Sequence, residues 1–140
     1  LKATKRNHRA WFAPRGERDP NLVTRPCVLV QRTTAKEQHR RLICAELPAR
    51  VIAKHGQVTV ENHLNMVRPS VPRPKVPVRV VAAFLATATA DRVLRCINGS
   101  VAVSASELEA IPLPTAEEVI AAMAEADPEA AVRRLYGLAE

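Results

Sequence analysis

Cys27-Val28-Leu29-Val30-Gln31-Arg32 and, after a polar interval, Arg41-Leu42-Ile43-Cys44-Ala45-Glu46 are the two stretches that decide the fold class. The first is a short continuous apolar run rich in β-branched residues, bounded by Pro26 and the polar residues 33–40 (TTAKEQHR), and it reads as a buried strand. The second reads as its antiparallel partner, with residues 33–40 as the connecting loop. Working outward, residues 49–54 and 58–61 are expected as further short strands split by the turn His55-Gly56. Residues 62–67 continue as irregular chain or as one more strand.

Pro69, Pro72, Pro74 and Pro77 then mark a linker, since each ring fixes φ and disfavours helix in the residue before it. Pro77 suits the first position of a helix, and Val78, Val81, Leu85 and Ala88, with Phe84 beside them, recur at helical spacing over residues 77–90. Residues 91–96 extend that helix or begin another turn, and Asn98-Gly99 ends it. Val101-Ala102-Val103 is a short strand, and residues 104–111 hold a brief turn closed by Pro112-Leu113-Pro114. Thr115 and Glu118 stand at capping-box spacing at the head of a helix. A last helix over residues 128–138 carries Arg133 and Arg134 near its C-terminus, where positive charge suits the dipole. Strands followed by helices define an α+β fold. Residues 1–26 have no helical or strand period and read as a basic irregular segment or linker, with Trp11-Phe12 as an apolar anchor packed on the body. Residues 27–140 read as a single α+β domain.

The 140 residues are 47% hydrophobic and 25% charged, enough to build a core and too apolar for a disordered tail. The net charge of +7 is unevenly placed: residues 1–80 carry 17 Lys/Arg against 5 Asp/Glu, and residues 81–140 carry 4 against 9. A basic front half is the footprint of a polyanion binder or of a flexible basic tail with a solvated face. Trp11, Phe12, Phe84 and Tyr136 are the whole aromatic complement, which argues against a surface that stacks single-stranded bases on several rings. The apolar residues 80–90 are too few to span a bilayer, so no membrane association is expected. The opening from Leu1, without methionine or an apolar h-region, predicts no signal peptide and a piece of a longer protein. Cys27, Cys44 and Cys96, odd in number and far apart, fit reduced thiols that pack in the core of a cytoplasmic protein, with no CxxC or HxxxH pair for zinc.

Neither a GxGxxG nor a GxxxxGK[ST] loop occurs, and no nucleophilic triad or carboxylate cluster is recognisable. The chain by itself does not read as a catalyst. Three ordered segments carry a resemblance: residues 28–37 (VLVQRTTAKE) with Arg40-Arg41-Leu42, residues 60–65 (VENHLN), and residues 98–108 (NGSVAVSASEL) leading to Ile111-Pro112-Leu113-Pro114. This order resembles the C-terminal part of adenine-specific (N6) DNA methyltransferases of bacterial restriction–modification systems. The ending also resembles target recognition domains of type I specificity subunits. The similarity spans residues 27–115, with Ser100 and Ala102 where many relatives carry His and Gln. The family's methyl-donor loop and its Asn-Pro-Pro-aromatic motif do not occur in this sequence. The resemblance therefore implies a module that reads the DNA target, with S-adenosylmethionine and the methyl transfer belonging to a catalytic domain of the parent enzyme and no cofactor held by this chain. The alternative is a non-catalytic specificity-subunit or protein-interaction module with a basic face.

On this reading double-stranded DNA is the partner. Taking an adenine out of the duplex costs a few kcal/mol, which a basic module offsets by holding phosphates and reading flanking base edges. Arg32, Thr33, Thr34, Lys36, Gln38, Arg40 and Arg41 surround one hairpin loop of a shape that enters a groove, and Asn62, His63, Asn65 and Arg68 form a second polar cluster. Arg pairs bidentately with guanine, and Gln or Asn with adenine, each worth about 1–3 kcal/mol of discrimination. The same residues have structural readings: Arg40 and Arg41 paired with Glu37 and Glu46 on a solvated hairpin, Asn62 and His63 shaping a turn through local hydrogen bonds, and Asn98-Gly99 as a helix-ending turn.

Overall fold

In chain order the elements are β1 (Leu22–Val23), β2 (Cys27–Gln31), β3 (Cys44–Leu47), α1 (Ala49–His55), β4 (Val58–Thr59), β5 (Leu64–Val67), α2 (Val78–Leu85), α3 (Ala88–Ile97), α4 (Ala105–Glu109), α5 (Ala116–Ala124) and α6 (Pro128–Leu135). They come from a computed structural model that describes residue 16 and residues 19–34, 38–97, 99–100 and 102–138. Apart from α1, which stands between β3 and β4, the strands come first and the helices follow, an α+β architecture. Trp11, Phe12, Lys36 and Asn98 lie outside the described residues.

β2 is the centre of a three-stranded antiparallel sheet, with β3 on one edge and β5 on the other. Successive side chains of a strand point to opposite faces, and both faces of β2 are covered. Val28 and Val30 enter a core with Leu42, Phe84, Leu85, Leu94, Val103 and Val132. Cys27 faces the other way, into a smaller core with Val23, Leu47, Ile52 and Val60. That double covering is why the strand reads as an unbroken apolar run rather than as an alternation. The smaller core is roofed by α1 and by a separate two-stranded antiparallel sheet of β1 and β4.

Several elements differ from the sequence expectation, each for a local reason. Residues 49–54 form a helix, not a strand: Ala49, Arg50, Ala53 and Lys54 are good helix formers and outweigh Val51 and Ile52. Gly56, at φ 76°, ends it. Leu22 and Val23, inside the stretch read as irregular, pair with Thr59 and Val58. The expected helix over residues 77–90 is two helices, because the Thr87 hydroxyl donates to the Phe84 carbonyl at 2.7 Å and accepts from the Ala90 amide at 3.1 Å, capping a new start. Residues 104–111 contain α4, headed by a capping box of Ser104 and Glu107. The Thr115–Glu118 box heads α5 as expected. α6 stops at Leu135, where Gly137 at φ 64° lets its amide reach Arg134 and the Leu138 amide reach Arg133, a Schellman closure. Val103 joins the body through its amide on the Arg32 carbonyl at 2.7 Å, with a single bridge between Thr33 and Ala102 in place of the expected strand.

No helix among the described residues is long and apolar enough to cross a membrane. The cysteines divide by face: Cys27 is buried in the smaller core, Cys44 is half-buried on the other face, and Cys96 is exposed on α3 rather than packed. Burial raises the Cys27 thiol against the opposing charge of Arg68, and burial likewise pushes Cys44 up to about 11 against Arg40. Thiolate is the reactive species. A thiol reagent at pH 8 should therefore modify Cys96 in the native protein at least tenfold faster than Cys27 or Cys44, with the two slow thiols released by denaturant; equal rates for all three would contradict this packing.

Candidate nucleic-acid interface

The expected partner strand was residues 41–46, yet β3 begins only at Cys44. Asp91, buried in the first turn of α3, explains the difference: its Oδ1 accepts from the Arg41 amide at 2.6 Å and from the Leu42 amide at 2.7 Å. Those two amides leave the sheet ladder for a carboxylate on a helix 50 residues away in sequence. The other oxygen, Oδ2, accepts from Arg95 Nε one helical turn on, at 2.8 Å. Arg95 in turn donates to the His39 carbonyl, so one residue pair holds both sides of the segment 39–42. The helix is positioned from behind by Glu129 of α6, whose carboxylate accepts from the Ala88 amide at 2.7 Å and from the Thr89 amide and hydroxyl at 2.8 and 2.6 Å. Burial raises the Glu129 carboxyl, but these hydrogen bonds and the charge of Arg133 outweigh it and hold the group below its ordinary value. A carboxylate at a helix N-terminus also meets the positive end of the macrodipole.

Anchoring residues 39–42 to α3 gathers guanidinium groups at one end of the central sheet. Arg40 donates to the Ala86 carbonyl, and Arg41 donates through Nη2 to the Gly99 carbonyl at 3.4 Å. Arg41 Nη1 is buried without a hydrogen-bond partner. The chain runs on from Gly99 and Ser100 to Ala102, which bridges Thr33 beside Arg32. Arg32 is fixed on both edges, its amide donating to the His63 carbonyl at 2.8 Å and its carbonyl accepting from Val103 at 2.7 Å. Its exposed guanidinium reaches the Asn62 carbonyl at 3.5 Å. Arg32, Arg40, Arg41 and Arg95 are thus linked through backbone contacts at this end of the sheet, with Arg32 turned to Asn62, Arg40 to Ala86 and Arg41 to Gly99.

Of the residues singled out by sequence, this edge brings together Arg32, Thr33, Gln38, Arg40, Arg41, Asn62 and His63. Gln31 ties Gln38 to it, its amide nitrogen donating to the Thr33 carbonyl at 2.6 Å and lying 3.4 Å from the Gln38 side-chain oxygen. Three others have different places. Thr34 is buried, and Asn65 donates its side-chain amide to the Val103 carbonyl at 2.6 Å, holding the 102–104 segment on β5. Arg68 sits past the far end of β5, where Val67 pairs with Val28, and donates to the Pro20 carbonyl at 2.6 Å. The length of β2, about 15 Å at roughly 3.4 Å per residue, separates Arg68 from Arg32. Lys36 falls outside the described residues. His63 and Glu61, both exposed, pair at 2.7 Å, and the hydrogen bonds from His63 hold the Glu61 carboxyl below its ordinary value.

Arg95 and Asp91 escaped the sequence reading. Their i,i+4 spacing on a helix was visible as a signal, whereas the reach of Asp91 to residues 41 and 42 was not. Among the described residues, Arg32, Arg40 and Arg41 make no salt bridge, and the pairing of Arg41 or Arg40 with Glu46 does not occur. The described aromatics, Phe84 and Tyr136, lie 6.4 Å apart between ring centroids, Phe84 buried in the main core and Tyr136 packed against it. No group of three or more His, Cys, Asp and Glu able to hold a metal exists among the described residues. No protein-family model, no curated protein and no solved structure matches the chain.

Removing the Asp91 carboxylate should orphan two backbone donors at once, at about 1–3 kcal/mol for each buried one. Asp91→Ala is expected to lower unfolding stability by about 2–4 kcal/mol in urea titration, and Asp91→Asn, which keeps an acceptor oxygen, by less. An unchanged midpoint for the alanine variant would show that residues 41 and 42 are held by something else.

Proposed function

We propose that this chain binds duplex DNA through the Arg32–Arg41–Arg95 edge and serves as the target-reading module of an adenine-N6 methyltransferase. The carrying observation is the way the edge is built. Two of its four guanidinium groups, those of Arg32 and Arg40, are exposed and oriented by backbone carbonyls rather than by carboxylates, and Arg41 is half-buried with Nη2 on the Gly99 carbonyl. A carbonyl fixes direction without cancelling charge, so the group stays available to a phosphate, with which arginine makes bidentate charge-assisted hydrogen bonds. Asn62 and His63 are exposed beside these cations and offer the donors and acceptors that base edges require. Phosphate contacts set the register, and the shorter polar side chains do the reading. The absence of an aromatic platform among the described residues favours a double strand over a single one. The methyl-donor and catalytic motifs missing from this sequence belong, on this reading, to another part of the parent protein.

Binding to a labelled duplex should weaken steeply with salt. Engagement of about three phosphates gives a slope near −2.7 in log affinity against log salt, or roughly a 40-fold loss between about 50 and 200 mM. Arg32→Ala should reduce that slope by about one, whereas Arg68→Ala, at the opposite end of the sheet, should leave it unchanged. Salt-independent binding, or equal loss from the two variants, would remove the edge as the contact surface.

A further inference from the structure

At the opposite end of the sheet the proline-rich residues 69–77 wall a groove of about 330 Å³ between β5 and α2. Its floor is aliphatic, built from Val28, Val67, Val78 and Val81. Its rim carries Arg68 and Lys75, both exposed, and no acidic residue among the described residues lines it. Val71, in the same wall, is left 49% exposed, more than a packed valine would be. Arg68 also borders a smaller neighbouring hollow of about 110 Å³ that contains Arg25, so the positive rim continues around the corner. An aliphatic floor under a cationic rim is complementary to an anionic segment with a bulky aliphatic anchor.

The acidic half of the same chain presents such a segment. Leu113 is 65% exposed between Pro112 and Pro114, and the exposed Glu109 and Glu117 stand four residues on either side of it, neither in a salt bridge among the described residues. The two prolines restrict the backbone around Leu113, which lowers the entropy lost on docking. Tyr136 donates its hydroxyl to the Pro112 carbonyl at 2.8 Å and ties the segment to the body. Leu113 is not among the residues lining the groove of its own chain. A segment fastened in this way reaches a groove on another molecule more readily than its own.

We propose that the Leu113 segment of one copy docks in the valine-lined groove of a second copy, with Glu109 and Glu117 facing Arg68 and Lys75. The contact joins two different patches, the Leu113 segment of one copy and the groove of the next. It does not depend on the DNA reading.

Sedimentation of the full chain over a range of concentrations tests it. The average mass should rise with concentration at about 0.05 M salt and fall back at about 0.5 M, where screening is strong. Lys75→Glu and Glu117→Lys should each weaken self-association about tenfold with an unchanged circular-dichroism melt, and an equimolar mixture of the two variants should regain it, since each supplies the half the other lacks. Leu113→Ser, at a solvent-exposed side chain, should weaken it comparably. A protein monomeric at every concentration overturns the proposal. So does association that survives both charge reversals, or a mixture that stays as weak as its components.

Discussion

The carboxylate of Asp91 is the constraint on which this molecule's charged edge depends. A buried ion is expensive unless every lone pair it presents is used. Asp91 accepts from two successive backbone amides and one guanidinium. The two amides come from the one stretch, Arg41-Leu42, that would otherwise have extended β3 toward the loop. By taking them, the carboxylate turns the chain out of the sheet before it reaches β3 and lays it along the start of α3. Arg40 and Arg41 then project from a segment with one set geometry instead of from a mobile hairpin tip.

The fixing of that geometry propagates through backbone contacts. Arg41 reaches Gly99, the chain after Gly99 bridges Thr33, and Val103 and His63 clamp Arg32 from opposite edges. Behind α3, Glu129 holds the first amides of the helix, so the position of Asp91 is itself fixed by α6. Helix and loop are each supported by a carboxylate, and both carboxylates spend their hydrogen bonds inward. Arg32 and Arg40, by contrast, are exposed with carbonyl partners. That separation of roles keeps the edge cationic while the structure beneath it remains ordered.

Much of the fold was legible in residues with short-range physics. The β-branched run of β2 announced a strand buried on both faces, and the Thr115–Glu118 spacing located a helix start because a capping box is a contact between residues three apart. What escaped involved competition or distance. Residues 49–54 mix helix formers with Val51 and Ile52, and as a helix they still bury Ile52 and pack Val51 against the smaller core. The split between α2 and α3 rests on the Thr87 hydroxyl, which looked like one more residue of an alanine-threonine run. At the edge itself, Arg32, Arg40 and Arg41 were recognisable as a cationic group, but the fates of Thr34 and Asn65 were not. Whether a polar side chain faces solvent or satisfies a buried carbonyl is decided by what lands on it from far along the chain, as Val103 lands on Asn65.

The two ends of the central sheet are chemically different for a reason that begins in the register. Antiparallel pairing sets Gln31 against Leu64 and Val28 against Val67, so residues following β2 and preceding β5 meet at one end while residues following β5 meet the start of β2 at the other. The first end collects the loop after β2 and the 99–104 segment, all rich in polar groups that bond to carbonyls. The second collects the prolines after β5, which lack amide donors and cannot satisfy one another. Prolines there expose aliphatic surface and leave a groove, where polar residues at the first end filled theirs with hydrogen bonds. One surplus of positive charge is thereby divided into an edge suited to phosphates and a rim suited to carboxylates beside apolar side chains, and a one-residue slip of β2 against β5 would dissolve both.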